Sequence, residues 1–395
     1  MGNYRVGVWI DNSYSPESGG GFSFLWQLIY GIDQKQFDHN IEIYFVGFNL
    51  NFELNRTTIS IPFNENYFER RKNNFYHKFF NINLPRKDIL KNYADAEKIL
   101  KSHKIDVMFY TTPDIFINNY PYILVNWDLA HKTTYPFPET AMFGNWASRE
   151  KKISENLNNA LLVCCESERG KQEIIDNYRL FANKVTVLPL FPGKIILDEI
   201  IEKRPDWLEE NESFFLYPAQ FWAHKNHYNL IIGFAELLKA NPAKKYKLIL
   251  TGSDQGNFYY IKQLIANLKL ESYIIIPGFI EDGALKWLYK NSIGLVFASF
   301  LGPTNMPLLE APLLNCNVAC SNLKGHKEML GDDAIYFDPE DPSSIQKAMA
   351  ELIAMKHSGT QFKVTISTKK NNLENTLNIF EQVIVRSINI RRTWE

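Results

Sequence analysis

The sequence predicts an α/β protein made of two similar halves, each a parallel sheet covered by helices on both faces. Three observations predict it. Apolar, β-rich runs alternate with runs of helical period, the pattern of parallel strands joined by crossover helices. The alternation breaks off around Pro189, Pro192, Gly193 and Pro205 and then restarts. The 395 residues, at ~150 per domain, suit two domains.

In the first half, strands are expected at Val6 to Ile10, Ile41 to Gly47, Ile105 to Tyr110, Tyr122 to Asn126, Leu161 to Cys165 and Val185 to Leu188. Helices fit between them at Arg86 to Lys101 and at Glu168 to Tyr178, the second with Ser167 as N-cap. In the second half, strands are expected at Phe214 to Pro218, Tyr246 to Leu250, Tyr273 to Ile276, Ile293 to Ala298 and Asn317 to Cys320. The helices between and after them fall at His227 to Lys239, Tyr259 to Leu268, Gly283 to Tyr289, Pro307 to Asn315, Lys324 to Leu330 and Ser343 to Lys356. A terminal helix covers Leu373 to Ile390. The domains are therefore set at 1–195, 196–370 and a C-terminal helix in 371–395 that can cross back to the first domain.

Hydrophobic residues make up 45% and charged residues 22%, enough apolar material for packed cores and too little charge for long disorder. With 43 Lys+Arg against 44 Asp+Glu the net charge is −1, so nucleic acid is not expected as a partner. The four cysteines, Cys164, Cys165, Cys316 and Cys320, lack zinc or redox spacing and read as reduced, buried thiols. No apolar run approaches the ~18 residues of a membrane span. The first residues read as a strand rather than a signal peptide, which suggests a cytoplasmic protein.

Four segments carry the chemistry, each following a strand, where an open α/β sheet forms its ligand crevice. Gly19, Gly20 and Gly21 precede a helix and let backbone N–H groups approach an anion, or else make a flexible turn. Asp128 and His131 stand three residues apart after the Tyr122 strand. The imidazole suits proton transfer near neutrality, unless Asp128 merely caps a turn and His131 packs. Lys225 precedes a helix, where its charge and the helix dipole add on a diphosphate, unless it is only solvated. In Gly302-Pro303-Thr304-Asn305-Met306-Pro307-Leu308-Leu309-Glu310 a turn offers N–H groups to phosphate, and Glu310 either accepts two ribose hydroxyls or is a plain helix-face carboxylate.

In this order the segments resemble the family-4 retaining glycosyltransferases, whose GT-B arrangement sets two facing Rossmann-like domains around an interdomain cleft. The resemblance is strongest from Phe214 to Ala350, through Tyr217 to His227, Leu248 to Gly252, Ile276 to Phe279, Gly302 to Ala311 and Asp332 to Pro339. It implies that Glu310 binds the nucleotide ribose, that Lys225 binds the diphosphate, and that Thr304, Asn305 and Met306 contact phosphate or sugar. It places Phe279 and Ile280 at the nucleobase, Gly20 and Gly21 over the donor, Gln220 in the diphosphate turn, and Asp128 and His131 in the active-site loop. The GPTNxPxLEA form is similar to a variant found in bacterial surface-polysaccharide transferases.

Three departures stand out. Gly302 replaces the first glutamate of the family's E-x7-E motif, Ala219 or Gln220 replaces a diphosphate arginine, and Trp127 takes the place of the active-site histidine.

The expected function is retaining transfer of a hexose, such as mannose, from a GDP- or UDP-linked nucleotide sugar to a glycan or lipid-linked acceptor. The setting would be lipopolysaccharide, O-antigen or capsule synthesis, with no metal and no further cofactor. The alternative is a catalytically inactive GT-B shell acting as a binding or scaffold protein. Phe68, Phe75, Tyr76, Phe79 and Phe80 lie at helical spacing beside a basic face, so residues 68–80 make either a peripheral membrane contact or an ordinary buried helix face.

Overall fold

The computed structural model describes residues 4–11, 20–37, 40–64, 87–117, 119–142, 144–362 and 371–394. The segment 68–80 lies outside the described residues, as does Gly19. The first sheet has seven parallel strands: β1 (Tyr4–Trp9), β2 (Ile41–Phe48), β3 (Thr58–Ile61), β4 (Val107–Tyr110), β5 (Tyr122–Val125), β6 (Leu162–Cys165) and β7 (Val185–Val187). Their order is β3-β2-β1-β4-β5-β6-β7. The second sheet has six: β8 (Ser213–Pro218), β9 (Tyr246–Thr251), β10 (Ile274–Gly278), β11 (Gly294–Phe297), β12 (Val318–Ser321) and β13 (Ile335–Phe337), ordered β10-β9-β8-β11-β12-β13.

Every residue of β4, β5, β6, β11 and β12 is buried. That is why these strands read as continuous apolar runs rather than alternating ones: helices cover both faces of a parallel sheet. The helices of the first domain are α1 (Gly20–Gln34), α2 (Lys87–Ser102), α3 (Ala130–Thr133), α4 (Pro138–Ala141), α5 (Asn145–Asn159) and α6 (Glu168–Tyr178). A short α7 (Lys194–Leu197) lies in the connection between the sheets. The second domain adds α8 (His227–Ala240), α9 (Phe258–Asn267), α10 (Asp282–Asn291), α11 (Met306–Leu313), α12 (Lys324–Leu330) and α13 (Pro342–Ser358), and the chain closes with α14 (Leu373–Arg391). The caps follow the sequence: Ser167 accepts from the Gly170 N–H, and Asp341 from that of Ser343. All four cysteines are buried and free.

The fold class is α/β of the GT-B type, with two parallel-sheet domains facing each other. In each sheet the strand order reverses direction next to the first strand, between β1 and β4 and between β8 and β11. Chain connections diverge there and leave a crevice at the carboxyl ends of the strands. The loops after β5, β8 and β11, which carry most of the expected site residues, all leave from carboxyl ends close to these points.

Among the described residues, six elements go beyond the sequence reading: the one-turn helices α3, α4 and α7, the strands β3 and β13, and α5. β3 and β13 are edge strands of four and three residues, too short for a periodic signal. α5 buries only Ile153 and Leu157 in a stretch otherwise rich in Lys, Glu and Asn. So narrow an apolar stripe leaves little helical period to read.

α14 crosses back onto the first domain. Phe380 on it is fully buried, edge-on to Phe109 with ring centres 4.9 Å apart, and Thr376 Oγ1 donates to the Pro189 carbonyl at 2.9 Å. Phe380→Ala should therefore cost about 3–5 kcal/mol by leaving a cavity against the first sheet, a loss read directly in urea denaturation.

Candidate active site

A cavity of about 650 Å³ opens between the carboxyl ends of the two sheets. One wall is the loop after β8, the loop after β11 and the start of α11, and the other is the start of α1 with Trp127, Asp128, Glu139 and Arg149. Lys194 and Ile195 of α7 join the two walls.

The β8–α8 loop is stitched to itself before it delivers a cation. The Trp222 indole N–H donates to Gln220 Oε1 at 3.0 Å, and Gln220 Nε2 donates to Ser253 Oγ at 3.1 Å. Lys225 follows, its Nζ donating to Asn305 Oδ1 at 3.0 Å and lying 5.3 Å from the centre of the Phe297 ring. Burial pushes the ammonium down to about 8, against the attraction of Asp128 and Glu139.

Glu310 is one turn inside α11 and buried. Burial pushes its carboxyl up to about 7, opposed by the Tyr289 hydroxyl, which donates to Oε2 at 3.0 Å, and by the Gly193 backbone. Gly193 is needed for that approach, because a Cβ there would sit 2.7 Å from Glu310 Oε1 and 2.9 Å from Met306 Sδ. Asn305 precedes α11 without capping it. Its side chain is engaged elsewhere, which leaves the first-turn N–H groups without a side-chain cap.

Gly302 has φ +136°, and a Cβ on it would lie 2.1 Å from Asn305 Nδ2. Position 302, where the resemblance places a glutamate, holds a side chain only with backbone strain and displacement of Asn305.

On the facing wall, Asp128 Oδ1 caps α3 through the Ala130 N–H at 2.8 Å and pairs with Arg149 Nη2 at 2.7 Å. Trp127 fills its position by donating from its indole to the Thr111 carbonyl at 3.1 Å and meeting Phe24 edge-on. The two domains touch where Glu139 Oε1 accepts from the His224 N–H at 3.0 Å and the His224 ring Nδ1 at 2.5 Å. Burial pushes the His224 imidazole down despite Glu139. Burial also pushes Glu139 up, but the bonds from His224 outweigh it and leave the carboxyl below its usual range. A carboxylate oxygen only accepts, so Nδ1 of the ring donates in this pair.

The structure brings most of the expected residues together. Lys225, Gln220, Thr304, Asn305, Met306 and Glu310 line the cavity, as do Gly21, Phe279, Ile280 and Asp128. Phe279 is 56% exposed, which leaves a ring face free to stack. Gly20 begins α1, next to the lining residue Gly21.

His131 is not brought in, which corrects the expectation that it shares the cleft with Asp128. One residue of helix turns a side chain by about 100°, so Ala130 faces the cavity and His131 faces α5 and α6. There its Nε2 meets Glu150 Oε2 at 2.9 Å, and Tyr178 donates to the same oxygen at 2.9 Å. Burial lowers its pKa against the pull of Glu150. Sequence reasoning had no role for Glu139, His224, Arg149, Lys194, Asp282 or Tyr289, all of which line the cavity. His224 lies inside the Tyr217 to His227 segment, whereas Arg149 rides on α5, whose helical period is hidden. Among the described residues no group of three or more His, Cys, Asp or Glu side chains could hold a metal ion, and no helix is long and apolar enough to cross a membrane.

A two-domain α/β protein with a cation, a helix start and a buried carboxylate converging on an interdomain cavity has the GT-B architecture. Comparison agrees: residues 199–367, the second domain and its approach, match the family model described as Glycosyl transferases group 1. The O-antigen chain mannosyltransferase B of Escherichia coli is 26% identical over 206 residues, 50% of this chain and 52% of that protein. The O-antigen chain mannosyltransferase RfbU of Salmonella typhimurium is 24% identical over 192 residues, 49% of this chain and 51% of the relative. The chain thus spans about half the length of these curated relatives. The crystal structure of a glycosyltransferase from Rickettsia africae shares the fold with a TM-score of 0.66 at 15% identity, covering 98% of this chain and 99% of that one.

Gly302→Ala should destabilise the protein by about 1–3 kcal/mol, the cost of holding a side chain at a left-handed backbone position. Chemical denaturation beside Gly256→Ala, another positive-φ glycine but one with open space around it, checks whether displacement of Asn305 adds to the backbone term.

Proposed function

We propose that the chain is a glycosyltransferase that moves a hexose, with mannose first in line, from a nucleotide diphosphate sugar to a glycan or lipid-linked acceptor in bacterial surface-polysaccharide synthesis. The observation that carries this reading is the convergence of Lys225, the uncapped start of α11 and the buried Glu310 on one cavity. In this reading Glu310, ionised, accepts the two ribose hydroxyls, and Phe279 and Ile280 flank the base. Lys225 and the α11 N–H groups hold the diphosphate and stabilise the charge that grows on it as the glycosidic bond breaks.

Retention of configuration and independence of metal belong to the same proposal. Among the described residues the cavity's carboxylates are Asp128, Glu139, Asp282 and Glu310. Asp128 is paired with Arg149, Glu139 with His224 and Asp282 with Lys194, while Glu310 is bonded to Tyr289. An inverting enzyme needs an available base opposite the leaving group; with these four engaged, the departing diphosphate oxygen is left to take the acceptor's proton on the same face. Lys225 and Arg149 supply positive charge without a metal. Relatives named for O-antigen mannosyl transfer support mannose as the sugar and a polysaccharide as the product.

The direct test is release of GDP or UDP from a panel of nucleotide sugars in the presence of glycan acceptors, with the product anomer read by NMR. Binding without turnover across the panel would instead mark the inactive shell. kcat/KM should follow a bell. It rises as Glu310 ionises through about 7 and falls as Lys225 loses its proton through about 8. Glu310→Gln should abolish the acid limb and weaken donor binding about ten- to hundredfold, since a charged acceptor is worth roughly 1.5–3 kcal/mol. Lys225→Ala should lower kcat more than it raises KM, because the charge it meets grows toward the transition state. A pH-rate and Michaelis series on the two variants checks both.

A further inference from the structure

Behind the cavity wall, the ammonium of Lys225 is the end of a chain of polar groups that reaches a fully buried histidine. Lys225 Nζ donates to Asn305 Oδ1 at 3.0 Å, and Asn305 Nδ2 lies 3.0 Å from His326 Nε2. His326 Nδ1 lies 2.9 Å from the Ser321 carbonyl, which only accepts. Nδ1 must therefore carry the proton and Nε2 a lone pair. A lone pair at Nε2 admits the amide nitrogen of Asn305 and not its oxygen, so the oxygen has to face Lys225. The asymmetry of the Ser321 carbonyl is passed through an imidazole and a carboxamide to the cation, with the Leu301 carbonyl, 3.4 Å from Asn305 Nδ2, as a longer second acceptor on the same side.

We propose that His326 is a positioning residue for the leaving group: by accepting from Asn305 Nδ2 it fixes the amide with its oxygen on Lys225 and so holds the ammonium charged and in place over Phe297. The proposal rests on the nucleotide-sugar reading of the cavity for its catalytic consequence, but not for its geometry. His326 is not among the residues lining the cavity; it is fully buried, edge-on to the Phe297 ring at 5.9 Å, and it sits on α12, which follows β12. Burial pushes its imidazole down to about 4, so it stays neutral across the working range and the lone pair on Nε2 is permanent. The charged groups facing Lys225 from the other elements are Asp128 and Glu139, which favour its charge from across the cavity. Asn305 is the neighbour that bonds it directly, and an amide turned the other way would present N–H groups to an ammonium. The same amide fills the space beside Gly302, so the glycine, the asparagine and the histidine form one arrangement.

The test compares His326→Leu, which removes the acceptor, with His326→Gln, which returns one near the Nε2 position. In His326→Leu, kcat for sugar transfer should fall about ten- to hundredfold with KM for the nucleotide sugar changed less, and the alkaline limb of the rate profile should move to lower pH by about one pH unit. His326→Gln should recover most of both. A merely structural histidine would lower stability in both variants and leave the alkaline limb in place. The Lys225 titration, followed by NMR of carbon-13 lysine in the absence of any substrate, should show the same downward shift in His326→Leu. Wild-type titration and wild-type kcat in a folded His326→Leu would overturn the proposal. If no nucleotide sugar is turned over by the wild type while the titration still shifts, the functional reading fails and the positioning role stands. If His326→Leu does not fold, nitrogen-15 spectra of the wild-type ring decide: a protonated Nδ1 with a bare Nε2 from pH 5 to 9 is expected, and a protonated Nε2 overturns the proposal.

Discussion

The rest of the structure is arranged around a cation kept where water is scarce. Burial opposes the charge on Lys225, and an isolated ammonium in such a place would give up its proton. What keeps the charge within reach of neutral pH is a set of acceptors drawn from both domains: Asn305 in direct contact, the Phe297 ring beneath, and Asp128 and Glu139 across the cavity. A site that binds a diphosphate needs such partial compensation. Full pairing with a carboxylate would neutralise the cation before the ligand arrived, and none at all would leave no cation to meet it.

Compensation from the far wall requires that wall to be in place, and the interdomain contacts cluster near Lys225. The segment from Thr134 to Thr140 lies against the second domain through Glu139 on His224 and through Phe137 against Phe300, with ring centres 5.6 Å apart. Farther out, Glu328 of α12 accepts from the Glu168 and Arg169 N–H groups at the start of α6, at 2.7 and 2.8 Å. A carboxylate at the positive end of a helix from the other domain joins the two bodies without burying much apolar area. Such a joint is easier to open than a hydrophobic one, whereas α14, with Phe380 buried against the first sheet, ties the end of the chain to the first domain firmly.

How legible all this is in the sequence varies with how local the cause is. The strands and most helices could be read because parallel strands are apolar throughout and covering helices carry a wide apolar face. β3, β13 and α5 could not, being either shorter than a period or nearly all polar outside Ile153 and Leu157. The second-domain wall of the cavity was legible because its residues belong to short contiguous segments: Gln220 with Lys225, and Thr304 through Glu310. The other wall was not. Arg149 reaches Asp128 from a helix 21 residues on, and His224 meets Glu139 across 85 residues. His131 shows the complementary failure. Its spacing from Asp128 was right for a shared face, but the turn of α3 between them sent it to Glu150 instead.

Gly302 shows how a departure from a pattern the sequence only resembles acquires a physical reason once the neighbours are known. Read alone, a glycine in place of a glutamate looks like a lost contact. In the fold its φ of +136° and the 2.1 Å between a built Cβ and Asn305 Nδ2 show that no side chain fits there while Asn305 keeps its place. Asn305 in turn is held between Lys225 and His326 and cannot move aside without releasing the cation. A carboxylate at position 302 and the Lys225–Asn305–His326 chain are therefore mutually exclusive in this backbone. The loop has one or the other, and here it has the chain, so a glycine at 302 is the condition for a neutral amide to set the position of the lysine.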